Sequence, residues 1–504
     1  MRACHFVSLV VALFGAACSS KPPTAADAGI TSLPTLRVRA FDSESRAPVA
    51  CKVTVRGEDG TRTPTWRGAG SDDHVGLAFE GGVLVGHVGV SVSCAPIALP
   101  LAAGRYAITV SAGPERALFE ARVTVAADGA SLEAPLARAV DSSGWACGDL
   151  HVHSAPSFDS DVPLDQRLIA AAAEGLDLVA PTDHDASTRD WTPALTETGA
   201  QLRVMLGDEL SPGVDGDDEL KGHFNVYPIP DTLRLPDDLP HRGLSVPQIV
   251  ERVRRVLPDA LIQVNHPRSD ASFGYFNLVD LDPATGEGGG GIALPEFDTL
   301  EVWNAHDLDL APNDTPIDVI LDDWYALLRA GRGVVAVGNS DTHRLARTPV
   351  GYPRTCVRVA RDAPGSLTEV DFVEGLRVGN AFVTSGPFVD LVVGGEGLGA
   401  LVVPAPSGAI DVMAHVQAAP WVSVTRVRIV VDGETAMTLP VAELPSTVRA
   451  SLVVRRDAFV LVVVEGDAPL GVAAGEHAGA MRSLAFTNPV FIDADGDGRW
   501  TAPP

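Results

Sequence analysis

Several features that mark familiar classes of protein are scarce or missing in this sequence. Basic residues are outnumbered, with 38 Lys and Arg against 65 Asp and Glu. The resulting net charge of −27 argues against a nucleic acid or an anionic membrane surface as a partner. No Gly-x-Ser-x-Gly motif is present, which argues against the nucleophile elbow of serine hydrolases, and no phosphate-cradling glycine loop is found. Aromatic residues make up only 6%, whereas 49 Gly and 38 Pro favour many turns and short strands.

The remaining composition is that of a globular protein with more than one domain. The hydrophobic content of 46% and the charged content of 20% are those of a chain that folds. Because 504 residues exceed what a single hydrophobic core usually holds, we expect two to four domains.

The first 33 residues are expected to be an export signal and a tether. An apolar run, Phe6–Phe14, is too short to span a bilayer and leads through small residues to Cys18. This pattern is similar to a bacterial lipoprotein signal, although Gly15 stands where such signals carry an aliphatic residue. We therefore expect a signal over 1–18 and a linker over 19–33. The protein would be extracytoplasmic, with its only membrane contact a lipid anchor on Cys18, or otherwise periplasmic or secreted.

Short alternating strands predict a β-sandwich on each side of a central region. They occupy residues 34–140 and, after the central region, residues 387–504. Within the first, Asp42 to Gly60 resembles the transthyretin-like or carboxypeptidase-regulatory sandwich. The resemblance implies a spacer or a weak binding surface. An acidic stretch, Asp493 to Gly498, copies half of a calcium loop but is predicted to be a polar turn.

Four cysteines lie outside the signal and can pair in three ways in an exported protein: Cys51, Cys94, Cys147 and Cys356. Because Cys51 and Cys94 both fall in the first β-rich region, we predict a disulfide between them. Cys147 is expected to be buried rather than to bind a soft metal, because oxygen and imidazole ligands surround it in the sequence.

In the central region, residues 141–386, apolar strands alternate with amphipathic helices. Helices are predicted at Asp165–Gly175, Val246–Leu257 and Val319–Ala330. Seven strand-like runs end in polar residues, which predicts parallel βα units arranged as a barrel with its site on the rim. The runs end at His151-Val152-His153, Thr182-Asp183-His184, Gly207-Asp208-Glu209, His223–Tyr227, Asn265-His266, Glu301–Asn304 and Asp341-Thr342-His343.

The polar strand ends predict a metal centre. Side chains two apart on a strand point the same way, so His151 and His153 can hold one ion together. His184, His266 and His343 also stand at strand ends. Imidazoles and carboxylates in one place suit two or three divalent ions of zinc, manganese or iron, which can assist the hydrolysis of an ester.

These motifs resemble those of the polymerase and histidinol phosphatase (PHP) superfamily, and within it the carbaryl-hydrolase-like metallohydrolases. They stand in family order over some two hundred residues. The resemblance implies a multidomain protein of class α/β plus β. Its centre would be a distorted seven-stranded (βα) barrel, flanked by the two sandwiches, that holds up to three metal ions. The motifs are Gly148–Ser154, Thr182-Asp183-His184, Gly207-Asp208-Glu209, Gly222-His223, Asn265-His266-Pro267, Glu301–Asn304 and Gly338–His343.

The same resemblance implies three groups of ligands. His151, His153, Glu209 and Asp341 would bind one ion, with Glu209 bridging to a second ion. His223 and His266 would complete the second group. The third would consist of Asp159, His184 and His343, with Asp161 as an alternative to Asp159. Asp183 would orient a ligand.

The expected substrate is a small ester, and its class is left open. Arg268 and Arg344 follow ligand motifs and are candidates to hold an anionic group, beside Glu209 and His266 as catalytic residues. A phosphoester is ranked first. A carboxylic or carbamate ester would need an apolar pocket, for which the candidates are Phe224, Tyr227, Phe273, Tyr275 and Trp303. A third alternative is a surface-displayed, metal-stabilised binding protein without activity. A glycine-rich stretch, Gly286 to Gly291, is a candidate lid.

Overall fold

A computed structural model of the full chain describes most of its residues. The described ranges are 33–68, 74–92, 96–186, 190–212, 221–233, 235–269, 273–305, 316–362, 365–475 and 478–502. The predicted signal and nearly all of the predicted tether therefore lie outside the described residues, as does Cys94. Within these ranges, no helix is both long and apolar enough to cross a membrane.

The N-terminal part consists of two sheets over one apolar core. The first has the order β6-β1-β9 and the second the order β3-β4-β5-β2-β7-β8. Strand β2 alternates between core residues such as Val53 and outward residues such as Arg56, which is the period-two pattern of a half-buried strand. The strands are β1 (Thr35–Asp42), β2 (Cys51–Glu58), β3 (Leu77–Phe79), β4 (Gly82–Val85), β5 (Val88–Ser91), β6 (Ile97–Pro100), β7 (Gly104–Ser111), β8 (Phe119–Val125) and β9 (Ala130–Leu136).

The central part alternates strands and helices, as expected. The three predicted helices are confirmed as α1, α3 and α5. Its strands are β10 (Trp145–Val152), β11 (Leu178–Pro181), β12 (Arg203–Val204), β13 (Asp208–Leu210), β14 (Phe224–Tyr227), β15 (Leu261–Val264), β16 (Thr299–Asn304), β17 (Val335–Asn339), β18 (Arg354–Arg358) and β19 (Ala381–Thr384). Its helices are α1 (Leu164–Ala173), α2 (Thr192–Thr198), α3 (Val246–Val256), α4 (Tyr275–Leu278), α5 (Ile317–Arg329) and α6 (Glu369–Arg377).

These strands form two sheets rather than one continuous barrel. One sheet has the order β13-β14-β15-β16-β17, and the others pair as β12-β11-β10-β18-β19. Only part of the pairing is parallel, because β14 runs antiparallel to both β13 and β15. Two isolated bridges, Val152 to Thr342 and His184 to Glu209, connect the sheets at their edges. Both bridges involve residues at or beside the predicted metal ligands, so the sheets meet at the site.

The C-terminal part continues one of the central sheets. Strand β19 pairs with β27, and the order continues through β26 and β23 to β24, across the predicted boundary at 386/387. A separate sheet has the order β20-β22-β25. The strands are β20 (Phe388–Val393), β21 (Leu401–Val402), β22 (Ala409–Gln417), β23 (Arg426–Val431), β24 (Glu434–Pro440), β25 (Ser446–Val453), β26 (Ala458–Pro469), β27 (Arg482–Thr487) and β28 (Val490–Ile492).

The acidic stretch near the C-terminus forms the polar turn that was predicted. The buried carboxylate of Asp493 accepts hydrogen bonds from the backbone N–H groups of Gly496 (2.7 Å) and Gly498 (2.8 Å). Asp495 and Asp457 lie close by, but both carboxylate oxygens of Asp493 serve the turn.

The disulfide prediction was wrong. Cys147 and Cys356, which stand opposite each other on the antiparallel strands β10 and β18, are joined by a disulfide. Cys51 is a buried free thiol whose Sγ lies 3.4 Å from the Ser91 hydroxyl. Sequence proximity favoured Cys51 and Cys94, whereas strand pairing brings together two cysteines 209 residues apart.

Candidate metal centre

The site lies where the strand ends of the two central sheets meet. His151 is the second-last residue of β10, and His153 directly follows that strand. Both side chains are fully buried. Because they are two residues apart, both imidazoles point to the same side. Asp341 and His343 follow β17, and His266 follows β15. Asp341 and His266 have positive φ angles of 49° and 26°, so the chain adopts a rarely populated conformation as it leaves these two strands.

Glu209 on β13 stands at the centre of the site. It is 1% exposed, and its carboxylate oxygens lie within 3.4 Å of ring nitrogens of five histidines. The distances are 3.0 Å to His151, 3.2 Å to His153, 3.4 Å to His184, 3.0 Å to His223 and 3.3 Å to His266. One carboxylate therefore touches ligand candidates from both sheets, which is the position a bridging ligand needs.

At this site, four sets of ligand atoms from described residues lie close enough together to hold an ion each. Three of them share His151 or Glu209. The sets are His151 with His153 and Asp341; His151 with Glu209 and His266; His184 with Glu209 and His223; and Asp159 with His153, His184 and His343.

The last set decides between the two aspartates that the sequence left open. Asp159 Oδ2 lies 3.1 Å from Nε2 of both His184 and His343. The side chain of Asp161 is 78% exposed, and its oxygen lies 3.8 Å from His74 instead. The structure thus places Asp159 at the site, and Asp161 outside it.

Oxygen atoms other than those of Glu209 also hold ring nitrogens of three histidines. His151 Nδ1 lies 2.9 Å from Glu301, and His153 Nδ1 lies 3.1 Å from the Ser157 hydroxyl. His184 Nδ1 lies 2.6 Å from the Ser211 hydroxyl and 3.4 Å from Glu209. Such outer partners fix the ring orientation and tautomer of metal-binding histidines.

Other ring nitrogens are buried without a hydrogen bond. Among the described residues these include His153 Nε2 and both nitrogens of His223, although a carboxylate oxygen lies 3.0 Å from His153 Nε2 and another lies 3.0 Å from His223 Nδ1. Buried polar atoms are rarely left so, because the cost is about 1–3 kcal/mol each. Imidazole nitrogens and carboxylates that converge with part of their hydrogen-bonding capacity unused are a suitable donor set for divalent cations, so the residues present fit metal ions.

The pKa shifts at the site are those expected for ionisable groups that are buried close to one another. Burial raises the pKa of the Glu209 carboxyl, but His184, His151 and His223 outweigh it and hold that pKa well below its usual range. Burial lowers the pKa of His151, but Asp341, Glu301 and Glu209 together raise it well above the usual range. Burial raises the pKa of Asp183 to about 7, and its carboxylate accepts hydrogen bonds from the Ser154 N–H and hydroxyl, so it holds the chain beside His153.

Three residues with structural roles at the site were missed by the sequence reading. Glu301 accepts hydrogen bonds from the His266 N–H (2.8 Å) and from the Asn339 amide (2.9 Å) besides contacting His151. Glu301 begins the strand-end motif Glu301–Asn304, so the sequence did carry a signal for this carboxylate. Asn265 donates to Glu209 at 2.9 Å. Arg167 lies inside α1 and carried no sequence signal, yet it donates to the His153 carbonyl oxygen at 2.7 Å.

One candidate for substrate binding, Arg268, uses its guanidinium to bind other parts of the protein. Arg268 forms a two-pronged ion pair with Asp323 of α5, at 2.7 and 2.8 Å, and also donates to the Leu281 carbonyl oxygen. The expectation that Arg268 holds a substrate anion is therefore corrected: its guanidinium anchors α5. Arg344 is half-buried directly after His343 and stays a candidate.

Most of the predicted apolar pocket is core. Phe224, Tyr227, Tyr275 and Trp303 are at most 5% exposed. Phe273 is 36% exposed, and its ring centroid lies 5.0 Å from that of His223. A second exposed ring was not foreseen.

That second ring belongs to Phe158. It is 71% exposed and stacks on His184 with centroids 4.8 Å apart. Since the rings of His184 and His223 lie 5.1 Å apart, Phe158 and Phe273 end a row of four rings at the site. Among the described residues, these two phenyl rings offer apolar surface to a ligand beside the histidines.

Comparisons with known proteins give little. No family model matches the chain, and no curated protein matches it. One similar solved structure comes from Bifidobacterium adolescentis and is named provisionally as a metal-dependent phosphoesterase, with 16% identity, a TM-score of 0.23, and coverage of 40% of this chain and 90% of that one. Another is an amidohydrolase from Chromobacterium violaceum, with 17% identity, a TM-score of 0.25, and coverage of 40% and 89%. Similarity at this level carries no conclusion about this chain.

Proposed function

We propose that this protein is a metal-dependent hydrolase of ester bonds, and that a phosphoester is its first candidate substrate. The observation that carries the proposal is the presence of four ligand sets around Glu209, each with a histidine within 3.4 Å of its carboxylate. The outer nitrogens of His151 and His153 are held by Glu301 and Ser157. A structural role alone does not require buried ring nitrogens that lack hydrogen bonds in an otherwise well-bonded interior.

In this proposal the chain's own residues bind the metal ions, orient the ligand side chains and neutralise negative charge on the substrate. His151, His153 and Asp341 would bind one of two or three ions of zinc, manganese or iron, and Glu209 would bridge to the next. Such ions lower the pKa of a bound water towards about 7 and thereby supply a nucleophile at neutral pH. Glu301 would keep His151 in the tautomer with Nε2 free for the metal. Arg344 would steady an anionic part of the substrate.

The wider organisation is proposed on the sequence pattern. The two central sheets, connected at Val152–Thr342 and His184–Glu209, would be a distorted and incompletely closed version of the seven-stranded barrel. Domain boundaries at 34–140, 141–386 and 387–504, export through the N-terminal signal, and anchoring through Cys18 belong to the same proposal.

A second candidate substrate is favoured by one observation. The exposed rings of Phe158 and Phe273 would contact an apolar group beside the scissile bond, which suits a carboxylic or carbamate ester better than a small phosphate. The non-enzymatic alternative, a metal-stabilised binding protein, would keep the ligands without turnover.

One set of assays separates these candidates. Chelated protein is reloaded with zinc, manganese or iron, and rates are measured on para-nitrophenyl phosphate, bis(para-nitrophenyl) phosphate and para-nitrophenyl acetate. We expect phosphoester turnover that a chelator and His153→Ala abolish. His415→Ala, at a histidine on β22 bonded to Thr447, is the matched control and should keep full activity.

Each contrary result has a distinct meaning. Turnover of the acetate alone at saturating metal would reverse the ranking of substrates. Tight metal binding without turnover of any ester would support the binding protein. Less than one equivalent of bound metal after reloading would refute the metal centre itself.

A further inference from the structure

A second ligand-sized space lies between three parts of the molecule. It has a volume of about 750 Å³. Its walls come from β2 and β5 of the N-terminal part, from α1 and residues 345–350 of the central part, and from residues 471–475 and 479–480 of the C-terminal part. Cavities of about 300–1,000 Å³ between domains are common places for small ligands.

One wall is the outward face of β2. Residues Cys51, Val53 and Val55 of this strand point into the sandwich core, so Lys52, Thr54 and Arg56 share the other face, and all three line the cavity. Lys52 and Thr54 are only 5% and 7% exposed. A polar strand face that would ordinarily meet solvent is therefore enclosed.

The charge of the lining is opposite to that of the protein. Among the described lining residues, the charged ones are Lys52, Arg56 and Arg347 against one acid, Glu174, with His87 beside them. Glu174 already forms a buried ion pair with Lys52. In a chain with 65 acidic and 38 basic residues, an excess of positive charge around one cavity indicates an anionic ligand.

Other parts of the lining are apolar. Val90 and Val88 of β5 pair with Lys52 and Thr54 and stand beside them on the same sheet face. Leu345, Pro349 and Val350 of the central part add further apolar side chains. A free inorganic ion would leave these side chains without a partner, whereas a carboxylate on an apolar body would satisfy both halves of the cavity. An Arg guanidinium binds a carboxylate through two parallel hydrogen bonds.

The cavity wall is continuous with the metal centre. Residues 345–350 begin two positions after His343, and the Thr342 hydroxyl donates to the Thr348 carbonyl oxygen. The Ser160 hydroxyl donates to the His343 carbonyl oxygen at 3.1 Å. A ligand that presses on this loop would therefore reach the chain that carries Asp341 and His343.

We propose that the cavity between β2, α1, residues 345–350 and residues 471–475 and 479–480 binds a small organic carboxylate with an apolar body, and that its occupancy adjusts the metal centre through the loop after His343. The cavity is distinct from the metal centre, so its ligand is an effector rather than the substrate.

The test is calorimetric titration of the full-length protein with 3-phenylpropionate, in metal-loaded and in chelated form. We expect saturable binding with a Kd below about 10 mM in both forms, and a different Kd in each, because a ligand that adjusts the metal centre must bind the two forms unequally; equal Kd values would overturn the coupling. Arg56→Ala should weaken binding by at least about fivefold, because it removes the exposed cation of the β2 face. The matched control is Arg37→Ala, at a 51% exposed arginine on β1 that lines no part of the cavity; it should bind as the unchanged protein does.

A second variant blocks the space without touching its charges. Ala480→Trp, at an exposed lining residue, should abolish binding while the protein stays folded. Absence of saturable binding to the unchanged protein would overturn the proposal. So would binding that disappears on chelation and is insensitive to Arg56→Ala, since the carboxylate would then sit on the metals. If inorganic phosphate bound with equal affinity, the proposal that the ligand has an apolar body would be overturned.

Discussion

Arg167 offers the sharpest test of how the metal centre is held together. Its guanidinium is fully buried and donates five hydrogen bonds to the two segments that directly follow strands β10 and β17. It donates twice to the His153 carbonyl oxygen, at 2.7 and 3.0 Å, and to the Thr342 hydroxyl at 3.0 Å. Burial lowers its pKa to about 10, which leaves it charged at neutral pH.

The expected cost of Arg167→Lys follows from this count. A lysine ammonium has three donors and cannot reach both of these segments at once, so at least two of the five hydrogen bonds are lost. At about 1.5–3 kcal/mol for a hydrogen bond to a charged group, the loss of two bonds is about 3–6 kcal/mol. Because His153 and the chain around Asp341 are no longer held together, metal affinity should also fall by at least about tenfold.

Two measurements on chelated protein and one control check this reasoning. Denaturant unfolding gives the stability, and titration with zinc gives the affinity. Arg354→Lys is the control, because Arg354 is equally buried but bonds to Gly351, Glu115 and Glu174, which are not ligands. It should lose stability and keep its zinc affinity. If Arg167→Lys lost less than about 0.5 kcal/mol and bound zinc normally, the argument from Arg167 would be refuted.

Three further outcomes are expected. Glu209→Gln should lower the metal stoichiometry by at least one equivalent and reduce ester turnover by at least about a hundredfold, measured by elemental analysis and initial rates; full occupancy would exclude a bridging role. Lys52→Met should cost about 3–5 kcal/mol in denaturant unfolding because it leaves the buried Glu174 carboxylate unpaired, whereas the double change with Glu174→Leu should cost much less than the two single changes together. Additive costs would contradict this. Mass spectrometry of an unreduced digest should find Cys147 linked to Cys356, and either cysteine in a different linkage would contradict the structure.

Much of the local structure could be read from periodicity. The predicted helices at 165–175, 246–257 and 319–330 agree with α1, α3 and α5 within about two residues at most ends. This works because apolar spacing along a chain reports directly which face an element buries. Strand directions were less accessible, since the antiparallel pairing of β14 depends on partners far away in the chain.

The apolar and charged neighbours of the site were the least predictable part. Phe224 and Trp303 look no different in sequence from Phe158, yet the first two are core and the last is 71% exposed. Arg268 follows a ligand motif but meets Asp323, which is 55 residues further along. Such outcomes depend on which elements pack against each other.

The sequence by itself determined the kind and the order of the ligand side chains, because a strand period of two makes His151 and His153 neighbours wherever the strand goes. Only the tertiary structure decided that Glu209 stands within 3.4 Å of five imidazoles, that Asp159 rather than Asp161 joins them, and that Cys147 pairs with Cys356. Those contacts connect residues 14 to 209 positions apart. Distance along the chain carries no information about them, since they exist only once two sheets meet at their edges.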